Sequence, residues 1–192
     1  MVCAAVVILA FARIDVPLAL ALWKVGRFLR PLNKAFGATI ILSLESAVIL
    51  VLIIARLVRG HLSRFGETLA IACIASLCAY GINSNVLKVL FGVPTPIEVV
   101  HGARHTLNFW MGSGVSSFPS GHMVLAGAFA GVFMRLYRSS IWPLSALLLL
   151  AAGLMVAGDW HFLSDVVSGT FLSVSAGLLA AEWWAAHSDL QR

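Results

Sequence analysis

Long apolar stretches separated by short polar clusters dominate this chain. Residues 36–58, 69–91, 120–137, 141–158 and 162–184 each read as a membrane-crossing helix, because a span needs about 20 apolar residues at about 1.5 Å rise each. Glu45 is the lone charge inside the first of these, and Asn83, Ser84 and Asn85 are the main polar break in the second. The stretch 120–137 is short and starts directly at a Pro-Ser-Gly-His turn. Residues 1–12 are apolar but reach only about 18 Å. They dip partway into the membrane, or join residues 16–23 across Arg13-Ile14-Asp15, or mark a truncated start. Residues 15–34 place Lys24, Arg27, Arg30 and Lys34 among apolar positions, the pattern of a basic amphipathic helix in the membrane interface. The fold class this implies is all-α: a polytopic bundle of about six transmembrane helices, the first short, plus an interfacial helix. With no repeat, low-complexity tract or long linker, residues 1–192 read as a single integral membrane domain.

Composition sharpens that picture. Of 192 residues, 60% are hydrophobic and only 11% are charged, where soluble domains carry about 25% charged residues. This excludes an ordinary soluble globule, a disordered chain and a nucleic-acid-binding domain, so membrane lipids and not nucleic acid are the expected partners. The formal charge of +5 fits basic loops lying against anionic lipid. Cys3, Cys73 and Cys78 all fall in apolar runs and read as small buried thiols. No short hydrophobic segment ends in a small-residue cleavage site, so no removable signal peptide is expected. The segments 92–119 and 159–161 share one face, because two spans separate them. The other face carries Arg56, Arg59, Arg64, Arg135, Arg138 and Arg192, which the positive-inside rule makes cytoplasmic. The basic interfacial helix counts the other way and nearly balances it.

The chemically informative residues gather at one depth on that shared face. Lys88 stands near the end of one span, Ser120, Gly121 and His122 open the next, and His161 and Asp165 stand at the start of the last. Ionisable groups at membrane depth are functional candidates. His161 and Asp165 are four apart and share a helix face. The carboxylate can fix one imidazole nitrogen and leave the other as nucleophile or base, or the pair simply staples a helix start. Pro119 and Ser120 favour a helix start, Gly121 permits close approach to the backbone, and free helix N-terminal amides bind phosphate. His122 could then protonate a leaving oxygen, or be incidental to a plain helix start.

Pro119-Ser120-Gly121-His122, followed by His161-x-x-x-Asp165 and preceded by Lys88, resembles the type 2 phosphatidic acid phosphatase superfamily. The similarity extends over about residues 15–181, including the number and order of spans. It implies a metal-independent membrane lipid phosphatase or phosphotransferase acting on a lipid phosphate or prenyl diphosphate, without a cofactor. It further implies that His161 attacks phosphorus to form a phosphohistidine, Asp165 orients its ring and His122 protonates the leaving oxygen. Lys88, Ser120 and Gly121 would hold the phosphate oxygens, and the site would face the periplasm at a bacterial plasma membrane.

The chain also departs from that family's pattern. Where the first motif has Arg-Pro, this sequence has Thr95-Pro96, and where the third has Ser-Arg it has Leu154-Met155. An arginine fork adds bidentate charge-assisted bonds, and loss of one transition-state donor costs about 10²–10³ in rate. Arg104, between His101 and His105, is the candidate phosphate-binding replacement; the two histidines also make a possible binding edge. The alternatives to hydrolysis are transfer of the phosphoryl group to a hydroxyl, and a non-catalytic lipid-phosphate-binding relative. A zinc site from His105, His122, His161 and Asp165 has suitable ligand types but leaves Lys88 and the Pro-Ser-Gly-His turn without a purpose. Glu45 is read as facing Asn83 or Asn85, or as part of the substrate's path. Trp110, Trp142, Trp160, Trp183 and Trp184 read as interfacial anchors, and Gly153 and Gly158 as helix-packing positions.

Overall fold

The structure, a computed structural model, describes residues 2–35 and 37–188. Met1, Phe36, Arg192 and the Lys34 side chain, used in the readings above, lie outside the described residues. Helix α1 (Val2–Leu9) runs through a π-helical turn (Ala10–Ile14) into α2 (Asp15–Ala35). The N-terminal stretch joins across Arg13-Ile14-Asp15, and Val2–Leu32 forms one apolar helical stretch of 31 residues. Helix α3 (Ala38–Arg59) stops at Gly60, whose φ of 75° ends the helix at little steric cost. Ser63 caps α4 (Arg64–Ile82) by accepting from the Gly66 amide at 3.2 Å. A second π-helical turn (Asn83–Leu87) leads into α5 (Lys88–Phe91). The short α6 (Pro96–Val100), with a Thr95–Glu98 capping box, lies in the connection to α7 (Gly121–Leu136). Helices α8 (Ile141–Ala157) and α9 (Leu163–Ser188) complete the chain, and the described residues contain no strand.

Among the described residues, five helical stretches are long and apolar enough to cross a membrane. Helix α7 has 16 residues and reaches about 24 Å, short of a hydrocarbon core of about 30 Å. Its place in the bundle explains the tolerance: α7 packs against α4, α8 and most extensively α9, so protein surrounds it. The outward faces stay apolar, with Leu57, Val58 and Trp142 among the most exposed side chains, as a lipid-facing surface requires.

Small residues bring α7 and α9 together. A Cβ added to Gly177 would lie 2.2 Å from the Ala128 carbonyl oxygen, and one added to Gly131 would lie 2.6 Å from that of Val174. Backbones this close are the means by which membrane helices gain contact where lipid competes equally for apolar side chains. Gly153, read as a packing position, has no atom within 4 Å of its added Cβ, whereas one added to Gly158 would lie 2.8 Å from Trp160 Nε1. Glu45 also differs from expectation. Its carboxylate accepts from Ser76 Oγ at 2.9 Å, and that hydroxyl also lies 3.0 Å from the Leu125 carbonyl. Asn83 bonds the Pro119 carbonyl at 3.3 Å and Asn85 the Gly81 carbonyl at 2.8 Å, so neither meets Glu45.

Gly177→Ala is therefore expected to destabilise the bundle by about 1–3 kcal/mol through overpacking. Gly153→Ala, with open space, is expected to leave stability equal or improve it by up to about 1 kcal/mol. Thermal unfolding of the two purified variants in detergent checks the contrast.

Candidate active site

The start of α9 places the first pair. Its N-terminal turn brings Asp165 back over the helix start, where Oδ2 accepts from the Phe162 amide at 2.8 Å. The same oxygen lies 3.4 Å from His161 Nδ1 and receives the hydroxyl of Ser117, which itself stands 3.4 Å from Nδ1. Asp165 is fully buried and His161 only 8% exposed. With Nδ1 turned to this group, Nε2 on the far side of the ring is the nitrogen left to react. Ser117 was missed in the sequence, where a serine in a Ser-Ser loop carries no signal of its own.

The start of α7 sits directly against that turn. The Ser120 amide donates to the Asp165 carbonyl at 3.1 Å, and Ser120 Oγ caps α7 by accepting from the Met123 amide at 3.4 Å. The Ser120 hydroxyl also lies 3.8 Å from the Met155 sulfur, a weak acceptor. Gly121 does leave room, but for Tyr80: an added Cβ would lie 3.0 Å from that ring. His122, next along α7, faces His161 edge-on with ring centroids 5.8 Å apart and approaches Trp160 at 6.3 Å. Lys88, 6% exposed, donates from Nζ to the Ser116 carbonyl at 2.5 Å, which ties the end of the third span to the loop entering α7.

The N-terminal helix supplies two further buried carboxylate contacts. Asp15, 1% exposed, accepts from the Ser164 amide at 3.1 Å and its hydroxyl at 2.5 Å, and lies 3.6 Å from His105 Nε2. The His105 ring is held between Phe11 and Phe162, at 4.2 and 4.3 Å. Burial pushes its imidazole below its ordinary pKa, with Asp15 and then Asp165 pulling the other way. Asp159 pairs with Arg30 at 3.1 Å. Burial raises the Asp159 carboxyl above its usual range, and the Arg30 hydrogen bond and charge draw it back.

Lys88, Ser120, Gly121, His122, His161 and Asp165 thus meet at one end of the bundle. Arg104 does not join them: it is exposed in the loop, and no described contact links it to the cluster. His101 and His105 form no shared edge, since His101 turns to the Ile97 carbonyl at 2.7 Å and to Trp23, whereas His105 is packed inward. Among the described residues no three His, Cys, Asp or Glu side chains form a metal-ligand group. Thr95, at one missing-arginine position, is used as the α6 cap, and Met155, at the other, is buried against Ser120.

No match was found among curated proteins or solved structures. The family model of the PAP2 superfamily matches residues 68–189, well over half of the chain and every clustered residue from Lys88 to Asp165. The protein accordingly belongs to the PAP2 superfamily, whose members are phosphatases.

Proposed function

We propose that the protein removes phosphate from a lipid phosphate or diphosphate through a phosphohistidine at His161, with the site at the outer interface of a bacterial plasma membrane. The observation that carries this reading is the coupling of His161 Nδ1 to Asp165 at 3.4 Å, with His122 facing the same ring 5.8 Å away. His161 Nε2 forms a bond to phosphorus as the bond from phosphorus to the lipid oxygen breaks, and His122 gives that oxygen its proton. Water then attacks phosphorus, His122 takes a proton from it, and His161 leaves as a free imidazole. Lys88, the amides of Gly121 and His122, and the Ser120 hydroxyl, whose proton faces the Met155 thioether, supply donors to the phosphoryl oxygens.

A lipid tail is supported by the surroundings. An apolar groove of about 680 Å³, lined chiefly by α8 and α9, includes Ala157, Leu163 and Val166. Ala157 and Leu163 stand next in sequence to the segment that carries His161, which favours a tail in this groove with its headgroup toward the imidazole. The basic far end of the bundle, with Arg56, Arg59, Arg64, Arg135 and Arg138, favours an outward-facing site, against the weight of Lys24, Arg27 and Arg30 on α2.

His161→Ala is expected to abolish phosphate release from phosphatidic acid and prenyl diphosphates in detergent, and His122→Ala to lower turnover about 10²–10⁴-fold. An acid-labile phosphoryl label should form on the wild type and not on His161→Ala, and activity should survive EDTA. Wild-type turnover in His161→Ala would overturn the nucleophile. Met155→Arg, which sets a fork donor beside Ser120, is expected to raise kcat/KM about 10-fold or more. Unchanged kinetics in a folded Met155→Arg protein would show that the site is complete without it.

A further inference from the structure

The segment carrying His161 is held on both flanks by a single helix that lies wholly outside the family match. On its C-terminal flank, α9 begins at Leu163 with Phe162 before it, a residue whose side chain cannot cap a helix. Asp15 takes that role from another helix by accepting both the amide and the hydroxyl of Ser164. Both residues are fully buried, with Ser164 at 0% exposure, so loss of the carboxylate would leave two donors stranded. Phe11, just before Asp15, presses His105 against Phe162, which closes the same flank.

On the N-terminal flank, Asp159 stands at φ 54°, a left-handed conformation that aspartate adopts more readily than most non-glycine residues. The contacts that hold its side chain come from α2. Arg30 pairs with Asp159 at 3.1 Å, and its guanidinium is stacked 3.6 Å over Trp23, which fixes the donor. Gly26 brings the α2 backbone so near that an added Cβ would lie 2.1 Å from Asp159 Oδ2. Between the two anchored residues, Asp159 and Ser164, lie Trp160, His161, Phe162 and Leu163.

The geometry points to Asp15 and Arg30 as positioning residues for His161, which they hold at its reacting depth by fixing Ser164 and Asp159 on either side of it. This rests on the reading of His161 as the nucleophile. Neither residue touches the reacting atoms. Each acts through the backbone, where misplacement by about 1 Å can cost about 10²-fold in rate.

The test uses the full-length protein in detergent with phosphatidic acid as substrate, comparing wild type with Asp15→Ala, Asp15→Asn, Arg30→Gln, Asp159→Asn and the Arg30→Gln/Asp159→Asn double variant. Arg27→Gln, an exposed position on the same helix, is the control. Asp15→Ala and Arg30→Gln are expected to lower kcat about 10- to 100-fold with KM within about twofold. Asp15→Asn, which keeps one acceptor, should recover part of the rate, and the double variant should be no slower than its slower single. Amide hydrogen exchange across residues 159–166 should rise about fivefold or more while exchange in α7 stays unchanged, and Arg27→Gln should match wild type. Unchanged exchange at 159–166, or raised exchange with unaltered kcat, would overturn the proposal. If wild type releases no phosphate from any lipid, the nucleophile reading fails, and the exchange data still decide whether Asp15 and Arg30 hold the turn.

Discussion

One buried carboxylate carries more of this site than any other group. Asp165 Oδ2 takes the Phe162 amide and the Ser117 hydroxyl and faces His161 Nδ1, while its backbone carbonyl takes the Ser120 amide. Four separate pieces of chain (the His161 turn, the start of α9, the loop before α7 and the start of α7) are therefore registered against a single residue. These bonds are concentrated on Oδ2 and the carbonyl, where a low-dielectric interior strengthens each of them; Oδ1 is buried without a hydrogen bond to any described residue. The same bonds also align an imidazole with the open end of a helix.

The rest of the bundle protects this convergence. Glycines let α7 and α9 approach at backbone distance, so the helix starts that bear His122 and His161 belong to one rigid pair. Because α7 is mostly buried among its neighbours, it can be short, while longer helices, α9 included, present apolar side chains outward. Lys88, bonded to the Ser116 carbonyl, then fixes the loop that delivers Ser117 and Ser120. Each contact restricts where a phosphate could sit, which matters because phosphoryl transfer is catalysed mainly by positioning and fixed charge.

The two absent arginines alter this balance without dismantling it. Met155 fills its position as a core side chain, with its sulfur beside Ser120, and its carbonyl accepts from the Trp160 amide at 3.0 Å. That backbone bond depends on no particular side chain. The turn into His161 can therefore persist although the charge the family pattern places there is gone. On the proposed reading, the chain keeps the scaffold of the site with fewer cations to grip a phosphate.

Spacing and composition determined what short-range physics controls. Apolar runs of membrane length, the four-residue step from His161 to Asp165 and the serine before Gly121 act within a turn or a span, so the helices, the His–Asp pair and the α7 cap were legible in the residues themselves. The partners of Glu45, the inward packing of His105, the exposed place of Arg104 and the contribution of Ser117 were not, because each depends on which loop or helix face arrives from elsewhere. Asp15 and Arg30 illustrate the difference most clearly. In the chain they belong to a basic amphipathic stretch more than a hundred residues before His161, and no local periodicity connects them to Ser164 or Asp159. Only the tertiary packing of α2 against the turn supplies those bonds, since a buried carboxylate must be satisfied by whichever donors the fold brings to it.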